Sequence, residues 1–530
     1  MARASSRRRV LVHRGPAGTR VRGGELTGDG PLVVGVDVGS QGTCAQALEP
    51  DGTLVASSYA AHELSYPAPG WAEQDPEEWK RALVQTLAEI RLTTDGRPIA
   101  AVSFGSQLDG LVATDGAGRV MRPALIWSDR RAVAECLKIA GNGDRERLRA
   151  RTGCNLDPGH VGAKIAWLRA NEPETYRVAA AFLLPGSWVA REAAGELAVD
   201  PTNASSTGLL DARELDWCEE ACDAFEIDTD RLAPVHPSDA VLGPIAGWLR
   251  EATGLPAGTQ VVLGAGDEMA AVLGAGVTEP GEVCDVIGTA EPVCAVIAEP
   301  ALNSHEVVEL HPHAVPDRWL LENPGWLSGG AYRWFRDELG GPEVARAAAT
   351  GADVYELLNA LALGAPPGAD GVRWIPALSG AMAPEWNPRA RAGWFGLTAA
   401  HGRAHMARAL LEGNALALRD IVDAIAAGGH QLTGLVCVGG GARGDLLLRI
   451  RADMTGLRVC RPHDVETTAR GAAMLAAAGI GLHASVVDAA RAMAGPRTAS
   501  IEPDAGLRAI YDDLHAQHLR LYDALRPLFG

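Results

Sequence analysis

The stretch LGAGDEMAAVLGAG, residues 263–276, sets two adjacent carboxylates, Asp267 and Glu268, among glycines and alanines. An aspartate that caps a helix would explain these letters without any chemistry. An aspartate at a domain junction that takes a proton from an attacking hydroxyl explains them equally well. A second acid, Asp37 in GVDVGSQGT (residues 35–43), ends an apolar run and precedes a glycine turn. Such an aspartate can hold a hydrated Mg2+, with the backbone N–H groups of Gly39 and Ser40 facing a phosphate. A plain β-turn capped by Asp37 also fits that segment alone. A second glycine turn, VIGTAEP with Gly288 and Thr289, stands at the matching place in the second half of the chain. A third, VCVGGGARGD (residues 436–445), puts three glycines between an apolar run and a helix. Helix N-termini favour anions, and bare backbone admits a flat ring. The third turn lacks both the GxGxxG spacing and the lysine of a P-loop, so neither a Rossmann nor a Walker reading applies.

These loops need strands and helices to aim them. Leu32–Val38, residues 43–48 and residues 53–59 read as three short strands joined by tight turns, an antiparallel meander. Residues 76–92 read as a helix, residues 98–107 as a buried strand, and residues 111–127 as a hairpin around Asp115 and Gly116. The second half repeats the start: PGEVCDVIGTAEPVCAVIAEP, residues 280–300, is strand, glycine turn, strand. A long helix follows at residues 404–428, then strand, glycine turn and helix at 432–456. Leu507, Ile510, Tyr511, Leu514 and Leu521 give the C-terminal segment helical spacing, and WLSGGAYRWF, residues 326–335, reads as a core helix behind two glycines.

A chain of 530 residues is too long for one core and calls for two large domains. The net charge of −18 argues against a nucleic-acid partner, which needs clustered Lys and Arg. No run of about 18 apolar residues is present, so no membrane span is expected. The nine scattered cysteines, without CxxC, read as reduced thiols in a cytoplasmic protein. Cys218 and Cys222 lack further ligands for a metal, and HPH at residues 311–313 reads as a surface loop rather than a ligand pair. Residues 1–30, rich in Arg and Gly but without an apolar signal core, read as a disordered extension.

Around the three turns, further segments stand in a definite order: GWAEQDPEEW (70–79), RPALIWSDRR (122–131), KIAWLRANEPE (164–174), LLPGSWVAREAAGELAVDPTNASSTGLLD (183–211), PALSGAMAPEWNPRARAGWFGLTAAH (376–401), ALLEGNALALRD (409–420) and ETTARGAAMLAA (466–477). Together with the turns they resemble the FGGY carbohydrate kinase family, above all its xylulokinase members, from about Leu32 to the C-terminus. The resemblance implies an α/β fold of two ribonuclease-H-like (actin-like ATPase) domains with a cleft between them. Residues 31–276 would form the sugar-binding domain and residues 277–530 the nucleotide-binding domain. It implies ATP and Mg2+ as cofactors and a small sugar as substrate, D-xylulose first among ketopentoses, and it is compatible with a homodimer. It assigns Asp37 to Mg2+ and ATP, Leu108 and Asp109 to the sugar, and Asp267 to catalysis and the sugar. Gly39, Ser40, Gly288 and Thr289 fall to the phosphates, and Gly440, Gly441 and Ala442 to the adenosine.

The chain departs from that pattern at several places. Asp109 stands where xylulokinases carry His, so a donor has become an acceptor. Cys44 replaces a usual Lys or Arg, and Glu291 in GTAE would repel phosphate unless it turns away. SGAMAPEW lacks an expected Arg. Trp127, Asp129 and Arg130 are candidates for the sugar cleft, Glu268 for a structural contact, and Asn387 and Arg391 for bracing a loop. Three functions stay open at this point: a pentulose kinase, a kinase for another ketose or polyol such as ribulose, fuculose or erythritol, and a non-catalytic actin-like nucleotide-binding protein.

Overall fold

A computed structural model describes residues 30–303 and 305–529; the extension read at residues 1–30 lies, apart from Gly30, outside them. In the first half, β1 (Leu32–Val38), β2 (Gly42–Leu48) and β3 (Leu54–Ala61) form the meander. Next come β4 (Ile99–Ser106), β5 (Val241–Pro244) and β6 (Gln260–Gly266), giving the sheet order β3-β2-β1-β4-β6-β5. Strands β1, β4 and β6 are parallel neighbours, so their carboxyl ends lie side by side. The Pro76–Thr93 helix, α1, starts on Asp75, whose carboxylate accepts the Glu77 N–H. It covers this sheet with Trp79, Leu83, Leu87 and Ile90, the three-to-four spacing of one buried face.

The second half rebuilds the same plan. Strands β7 (Glu282–Val286), β8 (Glu291–Ile297), β9 (Glu309–Pro312), β10 (Trp319–Trp326), β11 (Gly434–Val438) and β12 (Val459–Cys460) lie in the order β9-β10-β8-β7-β11-β12. Again an antiparallel hairpin, β7–β8, adjoins a parallel pair, β7–β11. Helix α2 (Asp267–Gly274) follows β6, α3 (Ser328–Leu339) follows β10, and α4 (Arg403–Ala427) is the long helix of the second core. Next are α5 (Asp445–Thr455), α6 (Thr468–Gly479) and the terminal α7 (Arg508–Leu525). Although α6 comes from the second half, it packs on the first sheet and on α2. A Cβ on Gly471 would meet the Ala270 carbonyl at 1.8 Å, so only glycine lets these helices approach so closely.

The hairpin around Asp115 forms, with Thr114 bridging Val120 and Leu111 bridging Leu125, and its arms also pair outward, Val112–Thr114 with Ala181–Leu183 and Ala124–Leu125 with Glu73–Gln74. Two expectations change. The HPH segment is no surface loop; His311 and Pro312 belong to the buried strand β9, and His313 is buried beside it. On α7, Tyr511, Leu514, His518 and Tyr522 are buried while Ile510 is exposed, so the buried face is rotated from the expected one. Among the described residues no helix is long and apolar enough to cross a membrane.

Candidate active site

The carboxyl ends of β1, β4 and β6 carry Asp37, the Gln107–Leu108–Asp109 turn and Asp267. Ligands of open α/β sheets collect at such strand ends. Asp267 opens α2 directly after β6, and its own carboxylate accepts the Glu268 N–H at 3.0 Å. Burial lifts its carboxyl to about 7; backbone hydrogen bonds pull against this, and the charge of Asp109 adds to it. The glycine before it does not open a path for substrate. A Cβ on Gly266 would strike the Leu108 side chain at 2.3 Å, so Gly266 is small to seat Leu108.

Asp37 is the most exposed to electrostatic conflict. Burial raises its carboxyl well above the usual range, and the charges of Asp267 and Glu466 push the same way. Its Oδ1 is buried without a hydrogen-bond partner among the described residues. Beyond it, the β1–β2 turn is tied down: the Gly39 N–H donates to the Gly42 carbonyl at 3.0 Å, and Gln74 Nε2 donates to the Ser40 carbonyl at 2.7 Å. The Gly39 N–H is therefore engaged within the turn. Cys44, behind the turn, is a thiol that burial pushes up to about 12, so it stays neutral.

The β7–β8 turn exposes Gly288 and Thr289. The Gly288 N–H also closes its own turn, on the Val286 and Ala290 carbonyls. Arg333 of α3 donates to Thr289 Oγ1 at 2.8 Å and brings a cation to this loop. Sequence reading missed Arg333; its only signal was a place one turn beyond the Gly329–Gly330 pair. Glu291 turns away from the loop, as its position demanded, and accepts from Arg451 Nη2 at 2.7 Å. In the third turn Gly440 is open to solvent, whereas Ala442 is buried. Gly441 makes room for Ile287, which a Cβ would meet at 2.2 Å.

Domain-model matching gives the same two halves: FGGY family of carbohydrate kinases, N-terminal domain, over residues 32–274, and the C-terminal domain of that family over residues 285–480. The chain belongs to the FGGY carbohydrate kinase family. It is 30% identical to a xylulose kinase of Escherichia coli (strain K12) over 94% of this chain and all of that one. A glycerol kinase of Gloeobacter violaceus is 34% identical over 85% of this chain and 88% of its own length. A crystal structure of xylulose kinase from Rhodospirillum rubrum superposes with a TM-score of 0.85 at 30% identity, covering 94% of this chain and 99% of that one. The protein is thus a sugar kinase with the two-domain, actin-like fold.

Within this FGGY kinase, Asp109 has a left-handed backbone (φ 57°) and is pinned from three sides. Lys164 Nζ donates to its carbonyl at 2.6 Å, Ser206 Oγ accepts its N–H, and its Oδ1 meets His160 Nδ1 at 3.1 Å. Asp109, Glu309 and their hydrogen bonds hold the His160 imidazole well above its usual range against burial. Glu268 faces Glu322 of β10, and burial followed by the charges of Glu322 and Asp267 drives its carboxyl up. Asp109, Asp267 and Glu268 thus gather acidic groups where the two halves meet, with Glu322 buried behind Glu268. Asp129 is not among them. Its buried carboxylate accepts from the Ala72 N–H and grips Arg131, which stacks on Trp71 at 3.7 Å. Arg130 is held by Asp157 and Trp127 stays about half exposed. Asn387 and Arg391 brace their own loop through backbone groups.

Proposed function

We propose that this kinase transfers the γ-phosphoryl group of ATP to a primary hydroxyl of a ketopentose, D-xylulose to D-xylulose 5-phosphate, with Asp267 as the general base. The observation that carries this reading is Asp267 itself, a carboxylate lifted to about 7 at the ends of three parallel strands. A base with that affinity accepts a hydroxyl proton while remaining largely ionised just above neutral pH. As the sugar oxygen attacks the γ-phosphorus in line, its proton passes to Asp267 and ADP leaves. Leu108 and Asp109 lie beside the sugar, with Asp109 held in place by His160 and Lys164. Residues 31–276 bind the sugar and residues 277–530 the nucleotide, with Ser40, Gly288, Thr289 and Arg333 towards its phosphates and Gly440, Gly441 and Ala442 along the adenosine.

The orphaned, buried Asp37 Oδ1 fits a divalent cation, since its nearest charged neighbours are acids. Asp37 would hold Mg2+, which when bound neutralises phosphate charge. Similarity to xylulose kinases over nearly the whole chain supports the ketopentose. The acidity of the cleft favours neutral polyhydroxyl acceptors over anionic sugar acids.

One observation favours a second acceptor class: Asp109 offers carboxylate oxygens where a histidine donor is expected, which suits a polyol or another ketose. ADP release measured over D-xylulose, D-ribulose, L-fuculose, erythritol and glycerol separates the two. D-xylulose should give the highest kcat/KM, and Asp109→His should widen its lead. A higher value on another acceptor overturns the ketopentose, and no sugar-dependent ADP release on any of them overturns Asp267 as base for a sugar hydroxyl.

A further inference from the structure

Strand β9 places Glu309 and His311 on one face, because residues two apart in a strand point the same way. Across the ladder, Glu309 stands directly opposite Glu322 of β10, and all three side chains are buried. Like charges directly opposed in a sheet are destabilising, so something must lie between them. Among the described residues no Lys or Arg pairs with either carboxylate. Arg149 spends its donors on Asn155 and on the carbonyls of Asn303, His305 and Val308, while the Asn155 N–H donates to Glu309 Oε1 at 2.6 Å.

Two imidazoles face the acids instead. His311 Nε2 lies 3.5 Å from Glu309 and 3.3 Å from Glu322, while its Nδ1 is fixed by Ser205 Oγ at 2.9 Å. His160 reaches the cluster from the first half; its Nδ1 is fixed by Asp109, and its Nε2 points at Glu309 from 3.5 Å without a hydrogen-bond partner. Cys154 completes a second triad with His160 and Glu309, so Glu309 belongs to both. Each histidine thus has an outer partner on Nδ1 and presents Nε2 inward, the arrangement of metal-bound imidazoles. Ligand atoms about 2.0–2.1 Å from a four-coordinate ion lie about 3.3–3.4 Å apart, close to the spacings seen here.

We propose that this cluster binds one divalent transition-metal ion of the zinc type, held by Glu309, His311 and Glu322. Imidazole and carboxylate ligands select such an ion over Mg2+, which prefers oxygen and water. The ion would tie strands β9 and β10 together beside Ser205 of the first half. It would also set the charge behind Glu322 and Glu268, next to Asp267. The site does not depend on which sugar the enzyme takes.

The test is metal content of the full-length protein, loaded with Zn2+ at a buffered free concentration, desalted and analysed by mass spectrometry. About one ion per chain should remain, chelation should lower the melting temperature, and Mg2+ loaded in the same way should wash out. His311→Phe should retain at least tenfold less zinc. Ser205→Ala keeps every ligand and should weaken binding about 10- to 100-fold through the lost outer partner. His401→Ala, at a half-buried histidine outside the cluster, should retain the full ion. If His311→Phe does not fold, the wild-type stoichiometry and Ser205→Ala decide. Less than about a tenth of an ion per wild-type chain means that protons alone balance the cluster and overturns the proposal. Equal retention in Ser205→Ala and wild type overturns the assignment to His311.

Discussion

Asp37 and Asp285 occupy the same place in the two halves, the penultimate residue of the strand that opens each glycine turn. Their surroundings are opposite. Asp285 is fully buried and receives Arg451 Nε at 2.7 Å, and the same guanidinium reaches Glu291 at 2.7 Å. Among the described residues Asp37 receives no cation, and the charges that act on it most are those of Asp267 and Glu466. One aspartate is neutralised to let a strand be buried; the other is left short of positive charge beside the acceptor site. A buried acid without a partner costs stability, so its persistence marks a place where a ligand supplies the missing charge.

Breaking the neutralised side should have the largest effect on folding. Arg451→Met strands two buried carboxylates, and removing one side of such a network costs about 3–5 kcal/mol. Chemical denaturation should show that loss, and a change below about 1 kcal/mol would mean that Asp285 and Glu291 are not held by Arg451. On the other side, Asp37→Asn should leave the melting temperature unchanged or higher while lowering kcat on the order of 100-fold. A loss of stability like that of Arg451→Met would erase the contrast between the two aspartates. The smallest effect belongs to Arg333→Ala, which removes the only cation seen at the second turn among the described residues. KM for ATP should rise roughly 5- to 10-fold, on the order of 1 kcal/mol for an exposed charged contact. An unchanged KM would separate Arg333 from the nucleotide.

The parts of this contrast that are local were legible in the letters. Apolar runs closed by glycine turns placed β1, β2, β7, β8 and β11, and the helix start at Asp267 followed from its flanking residues. What depends on partners far along the chain was not. Glu291 looks misplaced in GTAE until Arg451, 160 residues later, is brought beside it. HPH reads as a surface loop because Glu309, His311 and Glu322 are polar, and partners from the first half, His160, Ser205 and the Asn155 amide, make their burial tolerable. Asp129 resembles a cleft residue in RPALIWSDRR, yet its neighbour Arg131 and the Ala72 amide claim both of its oxygens. Glycine carried a similar ambiguity. Gly266 and Gly441 each make room for a protein side chain, Leu108 and Ile287, which the letters alone do not show.

Asp267 carries the central claim, and its pH dependence tests it most directly. As a base it must be ionised, so kcat/KM on the best acceptor should climb as pH rises through about 7 and level off above. Stability should move the other way. A carboxyl raised above its ordinary value contributes stability that is present at low pH and is lost as pH rises from 3.8 through about 7. Asp267→Asn should therefore abolish most sugar-dependent ADP release, keep nucleotide binding, and stabilise the fold at pH 8 by roughly 1–3 kcal/mol. The decisive measurement is kcat/KM against pH for wild type and Asp267→Asn on the best acceptor. The account predicts a wild-type limb near pH 7 and turnover lower by on the order of 1,000-fold without a limb in the variant. Near-wild-type turnover in Asp267→Asn, or the same limb in both proteins, would contradict it.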